Sequence, residues 1–510
     1  MTKIESFFKQ WKTTALFFFI IFFISFFLRI YRLGLIPVFA DEAIYIRWAQ
    51  VMKSEPSLRF LPLSDGKQPL FMWLVIPMLK FVSDPLIAGR LISVFSSFGI
   101  LTGAFVLSVV LFNSKKAGLL SAFIYALSPL TFFFDRMALV DSLLSMFGIW
   151  VLIFIILALR HLSLGLVFLA GFSLGGALIT KSPALFFVLL LPSSIFFASF
   201  KKNKKIFVLL KALGLLFTAL ITSFAIYNVL RLGENFHMIG SRNYDYVYPY
   251  NHFLKSPLEP FLSNFWRLLQ WFFYMGPVSL LILSIAGFAV NFAKFRKEVL
   301  VLAVWGFVPI LVQAEFARVF TSRYILFCIP FLAVLAGSVL VNLRRLINFY
   351  VVYSLVILFL IQTMFFYTLF FKNPALFYWP ERDGYLSDWT AGTGIKEVSK
   401  LILERRNTNP DRQIVVGTEG YFGTLPDGLQ IYLEKEPGIV VIGIGLNITE
   451  VPKSLVDSAK AGNITFLLIN SSRMNVSRPF EEVGLKVLAS YDKAARFDGT
   501  KDTLYLFEIM

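Results

Sequence analysis

Asp41, Asp141, Lys67, Lys181, Arg90 and Arg323 are charges set beside or inside long apolar stretches of the sequence. Such a charge is costly at membrane depth, so for Asp141, inside an apolar run, a role in binding or catalysis is the default expectation. Asp41 and Glu42 open a segment in which Ile44, Trp48 and Val51 recur at helical spacing, as on a helix lying in a membrane interface. Asp41 can be the N-cap of that helix, with Glu42 a first-turn acid complementing the macrodipole. A carboxylate held there can also act as general base toward a substrate at the same depth. Lys67 precedes Gln68 and Pro69, and Pro69 can start a short apolar helix; the ammonium can snorkel or bind a lipid phosphate. Asp141 is expected about a turn inside an apolar helix, with Arg136 its nearest charge partner in sequence. Arg90, Lys181 and Arg323 add cations on the same side, and cations gathered beside two acids suit a phosphate-bearing lipid.

The three histidines carry less. His161 falls in a turn, and His237 and His252 lie fifteen apart in a stretch rich in Tyr and Asn. With a carboxylate such as Glu234 or Asp65 they are the candidates for a divalent metal, and no other cofactor is implied. Three Asn-x-Ser/Thr sequons, at Asn447, Asn463 and Asn475, match glycosylation acceptors, a short pattern that also arises by chance.

These residues need elements to hold them. The 510-residue chain is 57% hydrophobic with only 15% charged residues, too few to coat soluble domains. Apolar runs of roughly 18 to 25 residues match the length of a helix crossing the bilayer. Counting runs predicts about eleven transmembrane helices, near 15–30, 85–112, 117–134, 137–159, 163–179, 183–199, 206–230, 268–292, 299–316, 324–341 and 347–371. With the N-terminus in the cytoplasm, every second connection is basic, as at Lys115-Lys116, Arg160, 201–205, Lys294 with Arg296-Lys297, and Arg344-Arg345. The positive-inside rule accounts for that alternation and for the net charge of +17 without nucleic acid. The opposite side then receives a loop at 31–84 with interfacial helices, a loop at 231–267, and the tail. A lone Cys328 excludes an internal disulfide and a cysteine-based metal cluster. In the tail, 372–510, apolar runs shorten to β-like lengths (414–417, 439–444, 464–469, 486–488, 504–507) between helix-like stretches (395–405, 454–461), which predicts an extracytoplasmic α/β domain. Residues 1–371 form the transmembrane part.

Several segments together resemble the GT-C membrane glycosyltransferases, in the bacterial branch of protein O-mannosyltransferases and the lipid A aminoarabinose transferase. The matching pieces are Asp41-Glu42-Ala43-x-Tyr45, Gly66-Lys67-Gln68-Pro69-Leu70-Phe71-x-Trp73, Arg136-x-Ala138-Leu139-Val140-Asp141-Ser142 and Arg323-Tyr324. Gly384-Tyr385, Trp389-Thr390-Ala391-Gly392 and the run from Gly420 to Gly428 are similar to the outer domains of related bacterial proteins. The resemblance implies inverting transfer of a sugar from a polyprenyl-phosphate carrier to a lipid, polysaccharide or protein acceptor, at the external face of a bacterial cytoplasmic membrane. It implies Asp41 as the catalytic acid that activates the acceptor, and Lys67, assisted by Arg323, as holding the donor phosphate; Arg90 and Lys181 join them as phosphate-binding candidates by their placement on the same side. Asp141, with Glu42, would shape the site or position the acceptor. The family lysine is often followed by two prolines, whereas here Gln68 intervenes.

The chemistry agrees, since a departing phosphate needs no general acid, only a base and cations. The alternative is a polytopic lipid or sugar transporter or flippase, or a non-catalytic receptor. A transporter often shows internal repeats, and none is visible. The Trp-Trp-Asp signature of oligosaccharyltransferases is absent from the sequence.

Overall fold

The computed structural model describes residues 3–198, 205–342, 349–476 and 478–510. The basic clusters at 201–204 and 344–345 lie outside the described residues. In chain order the helices are α1 (Lys3–Ile30), α2 (Ala40–Ser54), α3 (Leu70–Phe81), α4 (Pro85–Phe112), α5 (Lys115–Leu127), α6 (Pro129–Phe134), α7 (Val140–His161) and α8 (Leu164–Leu178). They continue as α9 (Leu185–Leu190), α10 (Lys205–Tyr227), α11 (Met238–Tyr246), α12 (Tyr250–Lys255), α13 (Glu259–Tyr274), α14 (Val278–Asn291), α15 (Arg296–Phe316), α16 (Ile329–Gly337) and α17 (Phe349–Lys372). Beyond these lie α18 (Arg382–Leu386), α19 (Ile395–Thr408), α20 (Asp427–Leu433) and α21 (Lys453–Lys460). The strands are β1 (Ile414–Glu419), β2 (Ile439–Gly445), β3 (Ile464–Asn470), β4 (Leu485–Asp492) and β5 (Thr503–Ile509).

The chain is a polytopic α-helical membrane protein. Among the described residues seven helices are long and apolar enough to cross a bilayer, or eight if α13 and α14, bent by 103°, count as one broken span. The eleven apolar runs map onto these and onto shorter pieces. The run at 117–134 breaks at Ser128, where Pro129 starts α6. The runs at 163–179 and 183–199 fall on apolar helices of fewer than 18 residues.

The chain divides into two compact units. The first comprises 1–31, 59–71 and 91–369. Some of its helices pack against neighbours in or near the sequence, α8 against α7 and α10, α14 against α16, and α13 against α15, while α5 packs against the distant α16. At its centre Arg29 is fully buried in a salt bridge with Asp135 at 2.8 Å, and the same carboxylate accepts from Tyr125 Oη at 2.9 Å and Ser142 Oγ at 2.7 Å. This pair closes the break between α6 and α7, where the backbone leaves the helix.

The second unit comprises 32–58, 72–90 and 370–510. Its five-stranded sheet has the order β2-β1-β3-β5-β4, with β2, β1 and β3 parallel to one another and β5 antiparallel to both its neighbours, β3 and β4. β3 is buried along its whole length, as expected of a central strand covered on both faces. Leu455, Leu467, Ile469, Leu485 and Phe507 form the core on one face. α2 packs against α20 in this unit. Its entry is fixed by Ala40 N–H donating to Thr390 O at 3.1 Å and Gly392 N–H donating to Val38 O at 2.8 Å, and Gln50 Nε2 donates to Ile431 O at 2.8 Å.

Candidate functional site

In the second unit, Asp41 sits half-buried in the first turn of α2. The N-cap is Phe39 rather than Asp41, and Glu42 reaches back to accept the Phe39 N–H at 3.0 Å. The capping position therefore lies two residues earlier than the sequence suggested, because the chain is still extended at Phe39. Glu42 is also half of a buried ion pair: Arg90 Nη2 donates to Oε2 at 2.7 Å and Nε to Oε1 at 2.8 Å. The rest of the guanidinium donates to the carbonyls of Leu33, Ile36 and Pro37 at 2.8, 3.0 and 3.1 Å. Both side chains are at most 1% exposed. Bidentate pairing plus three carbonyls satisfies every guanidinium direction, which makes so deep an ion pair tolerable. It also fixes the turn that leads into Asp41.

In the first unit, two cationic centres stand on the loops. Lys67 Nζ lies 3.3 Å from Asp65, and Arg242 of α11 lies 3.4 Å from the same carboxylate. The turn between them needs glycine: Gly66 has φ +67°, and a Cβ there would lie 2.6 Å from Arg242 Cβ and 2.6 Å from Met238 O. That close approach ties the Lys67 turn to α11. Arg242 was not singled out from the sequence, and Asp65 was named only as a carboxylate that could join the histidines at a metal, not as the partner of Lys67 two positions on.

The second centre is Asp141, 3% exposed, in the first turn of α7. It lies at a helix start and not a turn inside, because residues 135–139 are not helical. Its partner is Lys181, whose Nζ is 2.6 Å from Oδ1, and not Arg136. Arg136 instead turns back along α1 and donates to the carbonyls of Leu28, Arg29 and Tyr31. Oδ2 of Asp141 is buried without a hydrogen-bond partner among the described residues. The Lys181 ammonium lies 4.4 Å from the centroid of the Tyr324 ring, and Arg323 is the adjacent residue, half-buried. The turn Thr180-Lys181-Ser182 is tied to the Lys67 turn, since Gln68 Nε2 donates to Ser182 Oγ at 2.9 Å. Next to that bond is a cavity of 320 Å³, lined by Gln68, Ser182, Leu185, Phe224, Tyr227 and His237 among others.

His237 lines this cavity, whereas His252 stacks on Tyr248 with ring centroids 4.1 Å apart. Among the described residues no three His, Cys, Asp or Glu groups come together to hold a metal ion, so the two histidines are not joined by a carboxylate.

The chain is similar to ArnT from Cupriavidus metallidurans in the apo state, with TM-score 0.54 and 14% identity over 96% of this chain and 97% of that one. Against the same ArnT bound to undecaprenyl phosphate, TM-score is 0.53 and identity 14%, over 97% and 98%. It is also similar to the oligosaccharyltransferase AglB from Archaeoglobus fulgidus in complex with an inhibitory peptide and a dolichol-phosphate, with TM-score 0.50 and 13% identity over 97% of this chain and 74% of that one. The chain has their fold. The similarity takes in both the membrane helices and the C-terminal sheet, and it agrees with the GT-C resemblance of the motifs. No protein-family model matches the sequence, and no curated protein does.

Proposed function

We propose that the chain is an inverting glycosyltransferase that moves a hexose or pentose from a polyprenyl-phosphate carrier to an acceptor hydroxyl or phosphate at the external face of the cytoplasmic membrane. The observation that carries this reading is a fold shared over nearly the whole of both chains with an ArnT bound to undecaprenyl phosphate. On this reading the N-terminus is cytoplasmic and residues 372–510 are outside.

The acceptor oxygen attacks the anomeric carbon and its proton passes to the Asp41 carboxylate, while the sugar–oxygen bond breaks and the electron pair leaves on the polyprenyl phosphate. A positioned base contributes typically about 10²–10⁴-fold. Cations meet the charge that grows on the leaving phosphate. Lys67 and Arg323 take that role, and Arg242, beside Lys67 across Asp65, joins them. Lys181 pairs with Asp141, and the unused Oδ2 of Asp141 is suited to accept a hydrogen bond from a bound hydroxyl. Arg90 has its donors engaged by Glu42 and three carbonyls, which supports a positioning role, holding the Asp41 turn, in place of phosphate binding.

The test is transfer of radiolabelled sugar from a panel of polyprenyl-phosphate sugars to an envelope fraction, by wild type and Asp41→Asn purified in detergent. Transfer by the wild type with a fall of about 10²–10⁴-fold in a normally folded Asp41→Asn is expected. Equal transfer by both proteins overturns the base assignment, and absence of transfer across a panel containing every common bacterial carrier sugar overturns the reaction.

A further inference from the structure

We propose that the end of the C-terminal sheet formed by the loops after β1 and β3 binds an anionic carbohydrate, a pyranose bearing a phosphate or carboxylate. The inference concerns a binding site within the second unit and stands apart from the transfer reaction.

Topology marks the place. β2 and β3 flank β1 on opposite sides, so the loop leaving β1 and the loop leaving β3 diverge, and the crevice outside the carboxyl ends of such strands is where open α/β sheets take ligands. The backbone is brought unusually close there: a Cβ on Gly443 of β2 would lie 2.2 Å from Gly420 O. Tyr421 and Phe422, directly after that contact, are 67% and 63% exposed. Trp389 is 40% exposed, and its ring would lie 3.9 Å from a Cβ on Gly423, which places it against the same loop.

From the β3 side comes Arg473, whose guanidinium carbon is 4.8 Å from the Trp389 ring centroid. Among the described residues this guanidinium has no hydrogen bond or ion pair; its one polar tie is through the backbone, where Arg473 O accepts the Ile448 N–H. A guanidinium laid on an indole keeps its in-plane donors directed outward, toward a carboxylate or phosphate. Behind it, at the strand ends, Glu419 is held by Asn470, and Asp502 by Ser471 and the Ser472 N–H. Aromatic faces for the C–H side of a sugar ring, an arginine for its charge and buried polar groups behind suit an anionic carbohydrate.

The test uses the full chain in phosphatidylcholine nanodiscs, with fluorescent trigalacturonate, a mannose-6-phosphate-terminated oligosaccharide and neutral maltotriose as probes. Wild type is expected to bind at least one anionic probe at least tenfold tighter than maltotriose. Arg473→Gln should abolish that preference, and Trp389→Ala should weaken every probe at least tenfold. Absence of saturable binding to both anionic probes, or binding unchanged in both variants, overturns the proposal. So does loss of binding when phosphatidylglycerol replaces phosphatidylcholine, because lipid headgroups would then occupy the surface. Sugar transfer, measured on the same samples, reports separately on the proposed function.

Discussion

At the scale of single residues, Asp427 shows what burial does outside the membrane. Burial pushes its carboxyl up to about 6, against the opposing pull of the Gly423 N–H, 2.6 Å away, and of Arg47. The folded state therefore holds a proton that the unfolded chain gives up near pH 4. Stability falls as pH rises from about 4 through about 6, then levels off. Asp427→Asn keeps an oxygen for the Gly423 N–H and removes the charge. Thermal unfolding in detergent between pH 4 and 7 should show a flatter pH dependence for the variant and a higher midpoint at pH 7; identical slopes would contradict this. The sequence marked the unusual charges well, since an acid in an apolar run is conspicuous. It could not assign their partners. Lys181 is 40 positions from Asp141 and Arg29 is 106 from Asp135, whereas Arg136, the neighbour in sequence, donates from Nη1 to carbonyls at and just beyond the end of α1.

At the scale of elements, α2 rests on the Glu42–Arg90 pair, and that arrangement makes an ordering of effects testable. Removing one partner of a buried pair costs about 3–5 kcal/mol. Glu42→Gln leaves Arg90 its three carbonyls. Arg90→Met strips those carbonyls of their donor as well, so it should destabilise more. In an isolated ion pair, replacing both partners recovers much of the loss; here Glu42→Leu with Arg90→Leu should recover little, because Leu33, Ile36 and Pro37 remain unsatisfied. Thermal shifts of the three variants check the order, and a double variant close to wild type would refute it. The strands were legible to within a few residues, as short apolar runs bounded by turns, and so were the longer spans. The breaks were not. The bend between α13 and α14 and the departure from helix at 135–139 depend on packing and on the Arg29–Asp135 pair.

At the scale of the molecule, the second unit is assembled from three stretches of chain, 32–58, 72–90 and 370–510. A chain ending at residue 371 lacks the sheet and α20, the helix against which α2 packs with Ala43, Ile44 and Ile46 buried. Limited proteolysis of that truncation should cleave within 32–58 at least tenfold faster than in the full chain, while the helices of 91–369 stay protected; equal rates would show that α2 holds itself. The same discontinuity governs biogenesis. About 280 residues separate the early stretches from the late one, which at about 5–20 residues per second is roughly 14–56 s of synthesis. Through that interval the newborn Asp41 segment has Arg90 but not yet α20, so the ribosome's pace and whatever shields apolar chain at the membrane help to decide how much protein reaches its final form.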